Sequence, residues 1–297
     1  MKIMENSPEV PKVEFRFPSV GNPGLEVLEL ADLYRRQLQY KHDPSKPHRV
    51  KFHCLIYITQ GEGAHFIDFN EHQYQAGSFI FVNKNQIHAY DFVNRPQGKV
   101  MLVTEEFIDS IHANIRLPFF TPMHLVSSYL PVLILTPSLQ ESCEALMHEI
   151  NKEQNNLNCN NLLVQLLFST LLLKLTRERG TDHFKHLSES RAQKFAQFLL
   201  LIEQHYTVTR EASVYADMMH ITYKSLNQIC KLASNQTAKQ LIDAHLILQA
   251  KRKLIVDSYQ VQQLAYQLGF DEVTNFVKYF KRHTLLTPSQ FKECFKR

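Results

Sequence analysis

A chain of 297 residues exceeds the size at which one hydrophobic core usually stops growing, so two domains are expected. Hydrophobic residues make up 44% and charged residues 21%, which excludes a disordered or fibrous protein, and the formal net charge is +4. That charge divides unevenly at Ser188, with 18 Lys and Arg against 20 Asp and Glu before it and 15 against 9 from it onward. A basic C-terminal part fits a polyanionic partner such as DNA, and the N-terminal part needs another role. Cys54, Cys143, Cys159, Cys230 and Cys294 are odd in number and never form a CxxC pair. Neither a disulfide framework nor a thiolate zinc site is indicated, and a cytoplasmic location is expected. Residues 1–11 hold Lys2, Glu5 and Glu9 around no apolar core, unlike a secretory signal.

In chain order, the first patterned segments are short and alternate with period two. Strands are predicted at Lys51–Thr59, Ala64–Phe69, Ser78–Val82, Ile87–Phe92 and Lys99–Thr104, with turns at Gly61-Glu62-Gly63 and Gln75-Ala76-Gly77. Many short strands at close spacing predict a β-sandwich or barrel. From Pro137 the texture becomes helical, with Ser138 as cap and Leu139, Leu146 and Ile150 along one helix. Asn160–Leu175 forms a second helix whose run LLVQLLFSTLLLKL is apolar nearly all round, so more than one face is buried. It is shorter than a membrane span and is interrupted by Gln165, Ser169, Thr170 and Lys174, so packing on a second subunit is expected instead. Arg177–Ser190 is polar and unpatterned. The predicted organisation is a mainly-β domain over 1–136, a helical dimerisation segment over 137–179, a linker over 180–190 and an all-α DNA-binding domain over 191–297.

Beyond the linker a pair of short helices joined by a tight turn occurs twice. The first unit is Ala216–His220, a turn at Ile221-Thr222, then Tyr223–Lys231; the second is Val261–Leu268, a turn at Gly269-Phe270, then Asp271–His283. In the first unit Leu226 and Ile229 share a buried face while Lys224, Asn227, Gln228 and Lys231 form a polar stripe opposite. In the second, Phe276, Tyr279 and Phe280 are apolar while Thr274, Lys278 and Lys281 line the other side, with Asp271 as the expected N-cap. For one such stripe alone, a solvated helix face is the better reading. Two stripes in duplicated units on the basic half favour DNA.

The segment VQQLAYQLGFDEVTNFVKYFKRHTLLTPSQF, residues 261–291, resembles the AraC/XylS family of transcription regulators through Leu264-Ala265, Leu268-Gly269-Phe270, Phe276, Phe280-Lys281 and Thr287-Pro288-Ser289. The upstream Ala250-Lys251 and Leu254 also fit. Where the family usually has Gly after each recognition helix, this chain has Asn235 or Gln236 and then Leu286, and His245 stands where it usually has Arg in the central helix. The resemblance implies that Lys224, Asn227, Gln228, Val273, Thr274 and Lys278 face bases in two successive major grooves, with a central helix near Lys239–Val256 between the units. Lys suits guanine O6 and N7, Asn and Gln suit adenine, and Val273 or Thr274 suits a thymine methyl. Lys231, Lys281 and Arg282 are placed to hold phosphates. Double-stranded DNA and RNA polymerase are the implied partners, and activation is the family's usual outcome.

The N-terminal stretch GEGAHFIDFNEHQYQAGSFIFVNKNQIHAY, residues 61–90, resembles the cupin-like sensor domain of many such regulators. It implies a small barrel that holds a small-molecule effector, followed by helices that form a homodimer. Lys51, His53, Tyr57, His65 and His88 are the candidate effector contacts. A metal-binding cupin normally shows a His-x-His pair and a following carboxylate, whereas His65 shares its face with Ile67, so no metal, cofactor or catalytic residue is expected. Two other readings stay open at this point, a cupin-type metalloenzyme fused to a helical domain and a co-regulator that binds protein.

Overall fold

The computed structural model describes residues 10–13, 24–35, 43–114, 131–156, 159–183, 188–257 and 259–295. The chain divides into two units, Lys12–Lys185 and a second built on His186–Arg297. The first strings together β1 (Lys12–Val13), β2 (Leu25–Glu29), α1 (Leu30–Arg35), β3 (His48–Val50), β4 (His53–Gln60), β5 (Gly63–Ile67), β6 (Asn70–Tyr74), β7 (Ser78–Val82), β8 (Ile87–Ala89) and β9 (Gln97–Val103). It continues through α2 (Glu105–Asn114), β10 (Val132–Ile134), α3 (Pro137–Gln154) and α4 (Asn161–His183). The strands form two five-stranded sheets, β1-β3-β8-β5-β6 and β10-β7-β4-β9-β2, antiparallel apart from β1 beside β3.

Side-chain alternation decides what each sheet face covers. Along β4, Cys54, Ile56 and Ile58 point between the sheets, meeting Val82, Val100 and Leu102 of their own sheet and Val50 and Ile67 of the other. Leu55 and Tyr57 point the opposite way, into a second core with Phe79, Phe81, Met101 and the helix residues Phe107, Met147 and Phe168. Burial on both faces is why β4 and β7 read as nearly continuous apolar runs.

Several boundaries differ from the sequence expectation. Asp68 and Phe69 leave the predicted strand Ala64–Phe69: with φ of 47° and 72° they form the two-residue hairpin turn into β6, which the period-two reading does not include. Asp68 compensates through its carboxylate, which accepts from Gln86 Nε2 at 2.6 Å and from the Ile87 N–H at 3.2 Å. The strand predicted to Phe92 stops at Ala89. Thr136, not Ser138, is the N-cap of α3, and Pro137 fills the first turn, where a missing N–H has no intrahelical partner to lose. The polar segment from Arg177 continues α4 as far as His183, and residues 184–187 lie outside the described residues. Among the described residues no helix is long and apolar enough to cross a membrane.

α4 buries Val164, Phe168, Leu171, Leu172 and Leu175 against the outer face of the second sheet. Its other side leaves Leu162 at 50%, Leu166 at 46% and Leu173 at 37% exposure. These three recur at helical spacing, so they share one face.

The second unit is helical throughout its described residues: α5 (Glu189–His205), α6 (Ala212–Met218), α7 (Tyr223–Ser234), α8 (Ala238–Val256), α9 (Val261–Gln267), α10 (Val273–Thr284) and α11 (Pro288–Cys294). Its local chemistry repeats. α6 and α9 each end in the same turn, with Ile221 N–H donating to Ala216 O and Phe270 N–H to Ala265 O, both at 3.0 Å around a left-handed His220 or Gly269. Gly269 has no substitute there, because a Cβ would lie 2.0 Å from the Thr207 carbonyl oxygen. α7 and α10 close on left-handed Asn235 and Leu285, which places the second glycine-like position at Leu285 rather than the expected Leu286. α8 and α11 then open with identical capping boxes, Thr237 with Gln240 and Thr287 with Gln290. Glu272, not Asp271, is the N-cap of α10, and its side chain makes no capping bond.

Candidate nucleic-acid interface

Each pair of short helices, α6 with α7 and α9 with α10, is a helix-turn-helix whose second helix is amphipathic. α7 buries Leu226, Ile229, Cys230 and Ala233, and α10 buries Phe276 and Phe280. The aromatic core under α10 is continuous, with Phe270, Phe276, Phe280 and Phe291 in successive ring contacts of 5.3 to 5.8 Å. Arg210 adds a guanidinium 4.0 Å from the Phe270 ring centre. Packing therefore fixes which face of each recognition helix is left to solvent.

On that face Lys224, Gln228 and Lys231 of α7 are exposed, as are Thr274, Lys278, Lys281 and Arg282 of α10. Lys224, Gln228 and Lys231 stand at the same positions as Thr274, Lys278 and Lys281 fifty residues later. The remaining two candidates sit differently. Asn227 is half-buried, and its Oδ1 accepts from the Ala238 N–H at 2.9 Å, so it ties α7 to the start of α8. Val273 is half-buried and lies about 100° around the helix from Thr274, toward the Phe276 and Phe280 side. Asn275, exposed beside Thr274, is a polar neighbour that sequence reasoning passed over.

His245, at the position noted for a missing arginine, packs against Tyr206 with ring centres 5.0 Å apart. Burial pushes it down to about 4, so it is neutral at physiological pH. Arg252, two turns further along the same face of α8, is buried.

The five candidate effector residues fall in three places. Lys51 is exposed, its Nζ donating to Asn85 Oδ1 at 3.4 Å. His53 and Tyr57 share the face of β4 turned away from the sheet interface, and Tyr57 donates its hydroxyl to Glu144 of α3 at 2.9 Å. His65 and His88 alone come together: His65 Nε2 lies 3.2 Å from His88 Nδ1, on the strand faces that Ile67 and Tyr90 direct between the sheets. Two residues missed by the sequence reading complete the group. His48 lies 4.4 Å from His88 ring to ring, and Tyr90 lies 4.8 Å from it. His48 pairs with His88 across β3 and β8, and it was passed over because β3 begins before the predicted strand start. His48, His65 and His88 are all buried, and His48 Nδ1 is bonded to the Lys46 carbonyl at 2.9 Å. Burial, with His48 and His72 nearby, pushes His65 down to about 3, so it is a neutral ring at physiological pH. Among the described residues no group of three or more His, Cys, Asp or Glu side chains is disposed to hold a metal ion.

A mainly-β unit followed by two helix-turn-helix units that expose polar recognition faces defines a DNA-binding transcription regulator. Two family models match the chain, an AraC-like ligand binding domain over residues 30–167 and a helix-turn-helix domain over residues 215–293. The HTH-type transcriptional activator RhaR of Salmonella heidelberg (strain SL476) is 20% identical over 259 residues, covering 86% of this chain and 89% of that protein. Among solved structures, ToxT from Vibrio cholerae O395 bound to (E)-4-(8-methylnaphthalen-1-yl)but-3-enoic acid shares 14% identity over 91% of this chain and 98% of its own, with a TM-score of 0.42. Unsaturated fatty acid bound ToxT from Vibrio cholerae strain SCE256 shares 15% identity over 82% and 87%, also at 0.42. The chain belongs to the AraC family of transcription regulators, with an N-terminal ligand-binding domain and a C-terminal helix-turn-helix domain.

Proposed function

We propose that this chain is a cytoplasmic, homodimeric activator whose action on promoters is set by a small molecule held in a cupin-like N-terminal barrel. The observation that carries the DNA side is the repeated register of the two exposed stripes, Lys224, Gln228 and Lys231 on α7 with Thr274, Lys278 and Lys281 on α10. Base contacts are assigned to Lys224, Gln228, Thr274 and Lys278, with Val273 and the free amide end of Asn227 at the margin of the same surface. Lys231, Lys281 and Arg282 are assigned to phosphates, where they set affinity and salt dependence. RNA polymerase is the partner through which an activator of this kind works, and the relatives named as activators support that sign.

Effector contact is assigned to the interior pair His65 and His88, together with His48 and Tyr90, rather than to Lys51, His53 and Tyr57. Imidazole rings in one buried cluster can offer both N–H donors and ring-nitrogen acceptors to a polar ligand group. The homodimer is assigned to the Leu162, Leu166 and Leu173 face of α4, which leaves apolar surface uncovered on a single chain. A ligand that prefers one arrangement of the first unit would shift the population competent for activation.

The test is selection from a random duplex library with the full chain. Enrichment of a site with two base clusters about one helical turn apart supports the reading. Enrichment of no sequence, or of one cluster alone, contradicts it.

A further inference from the structure

The two recognition helices are both tied to the first turns of α8, but by different chemistry. On the α7 side the bond is that from the Ala238 N–H to Asn227 Oδ1. On the α10 side it is a buried carboxylate: Asp243 Oδ1 accepts from the Tyr279 hydroxyl at 2.7 Å and from Lys239 Nζ at 2.6 Å. His283 Nε2 stands 3.8 Å from the other oxygen, Oδ2, and burial lowers that histidine, so at neutral pH it brings no second cation. The Tyr279 ring is held in turn, 4.6 Å from His283, 5.4 Å from Phe270 and 5.3 Å from the Arg282 guanidinium. Ile229 occupies the position of Tyr279 in the first unit and has no hydroxyl to offer, so this link belongs to the second unit alone.

We propose that Asp243 is a positioning residue that fixes α10 relative to α7 through Tyr279, and thereby sets the separation between base clusters that the domain accepts. The inference rests on the reading that both recognition helices contact DNA. A charge-assisted bond from a hydroxyl to a buried carboxylate is short and directional, so it resists rotation of α10 about its own apolar face in a way that ring packing does not. Lys239 Nζ, 2.6 Å from Oδ1, pairs with the carboxylate in its buried place. Tyr279 lies on the recognition helix one residue after Lys278 and three before Arg282, so holding its hydroxyl in place holds the stretch of α10 that carries both neighbours.

The experiment uses the full chain and the site that it selects from random duplexes. Affinity is then measured for duplexes with one base pair added or removed between the two base clusters. The wild-type chain should discriminate strongly against both. Tyr279→Phe keeps the ring and its packing, and Asp243→Asn keeps the size of the side chain. In each variant the penalty for altered spacing should shrink by roughly ten-fold, the scale of one charge-assisted hydrogen bond. Tyr279→Phe removes the donor and Asp243→Asn removes the charge from the same Tyr279–Asp243 bond, so once the hydroxyl is gone the second substitution should shrink the penalty no further. A penalty equal to that of the wild-type chain, whatever happens to the melting temperature, overturns the assignment. A selected site with a single base cluster overturns the two-helix reading instead.

Discussion

Asn235 and Leu285 occupy the same backbone position fifty residues apart, each left-handed, at φ of 58° and 65°. Both end a recognition helix by sending an N–H back to a lysine carbonyl, Lys231 in one case and Lys281 in the other. Asparagine tolerates that conformation, whereas a leucine in it costs roughly 1–2 kcal/mol. Leu285 is 83% exposed, so little burial offsets the strain. Leu285→Asn should therefore stabilise the second unit by about 0.5–1 kcal/mol. Urea unfolding reads this as a higher midpoint at unchanged slope; an unchanged or lower midpoint would show that the leucine is not strained.

Asn227 and Gln228 are neighbours in sequence with different work to do. Asn227→Ala removes the acceptor for the Ala238 N–H and should cost about 1 kcal/mol of stability, as the loss of a helix cap does. Gln228→Ala should leave the stability within about 0.5 kcal/mol, since exposed side chains contribute little, yet weaken binding to the selected site. Equal effects of the two substitutions on stability would contradict the placement.

The interior histidines make the first unit sensitive to acid. His65 sits at about 3 in the folded chain and near 6.5 when unfolded, so the unfolded state takes up the proton first. The stability carried by the neutral ring is complete above about pH 6.5 and falls as pH drops from there toward 3, by up to about 1.4 kcal/mol per pH unit. Urea midpoints at about pH 7.5 and about pH 5.5 should differ, and His65→Gln should narrow the difference. Identical midpoints at both values would count against a buried neutral cluster.

The α4 face predicts an assembly. Leu166→Glu places a charge at the centre of the Leu162, Leu166 and Leu173 stripe, outside the packed core of its own chain. Sedimentation at micromolar concentration should show a dimer for the wild-type chain and a monomer for the variant, with the urea midpoint of the monomer little changed. A variant that stays dimeric moves the interface elsewhere.

Much of the helical unit was legible because its signals are local. The apolar spacing of Phe276 and Phe280 and the turn at Gly269 need no tertiary context, and the start of the Tyr223 helix lies where the residues place it. In the β unit Ser78–Val82 was legible for the same reason. What escaped depended on contacts far along the chain. Phe69 has strand chemistry but sits in a turn, because Asp68 beside it is anchored by Gln86 and Ile87. His48 enters the histidine group only through pairing with His88, forty residues on. Tyr57 shares its strand with inward-facing Ile56, but parity turns it toward Glu144. The polar run from Arg177 to His183 looked like a linker, since nothing in its residues signals that α4 carries on through it.

The central claim is that exposed residues of α10 read bases while others on the same face hold the backbone. The direct measurement is the affinity of the full chain for its selected site and for random duplex across a range of salt. Lys278→Ala should weaken the selected site by about 1–3 kcal/mol and random duplex far less. Lys281→Ala should weaken both alike and lower the slope of log K against log salt by about 1. The opposite ranking, or binding that does not depend on salt in any of the three proteins, would contradict the account.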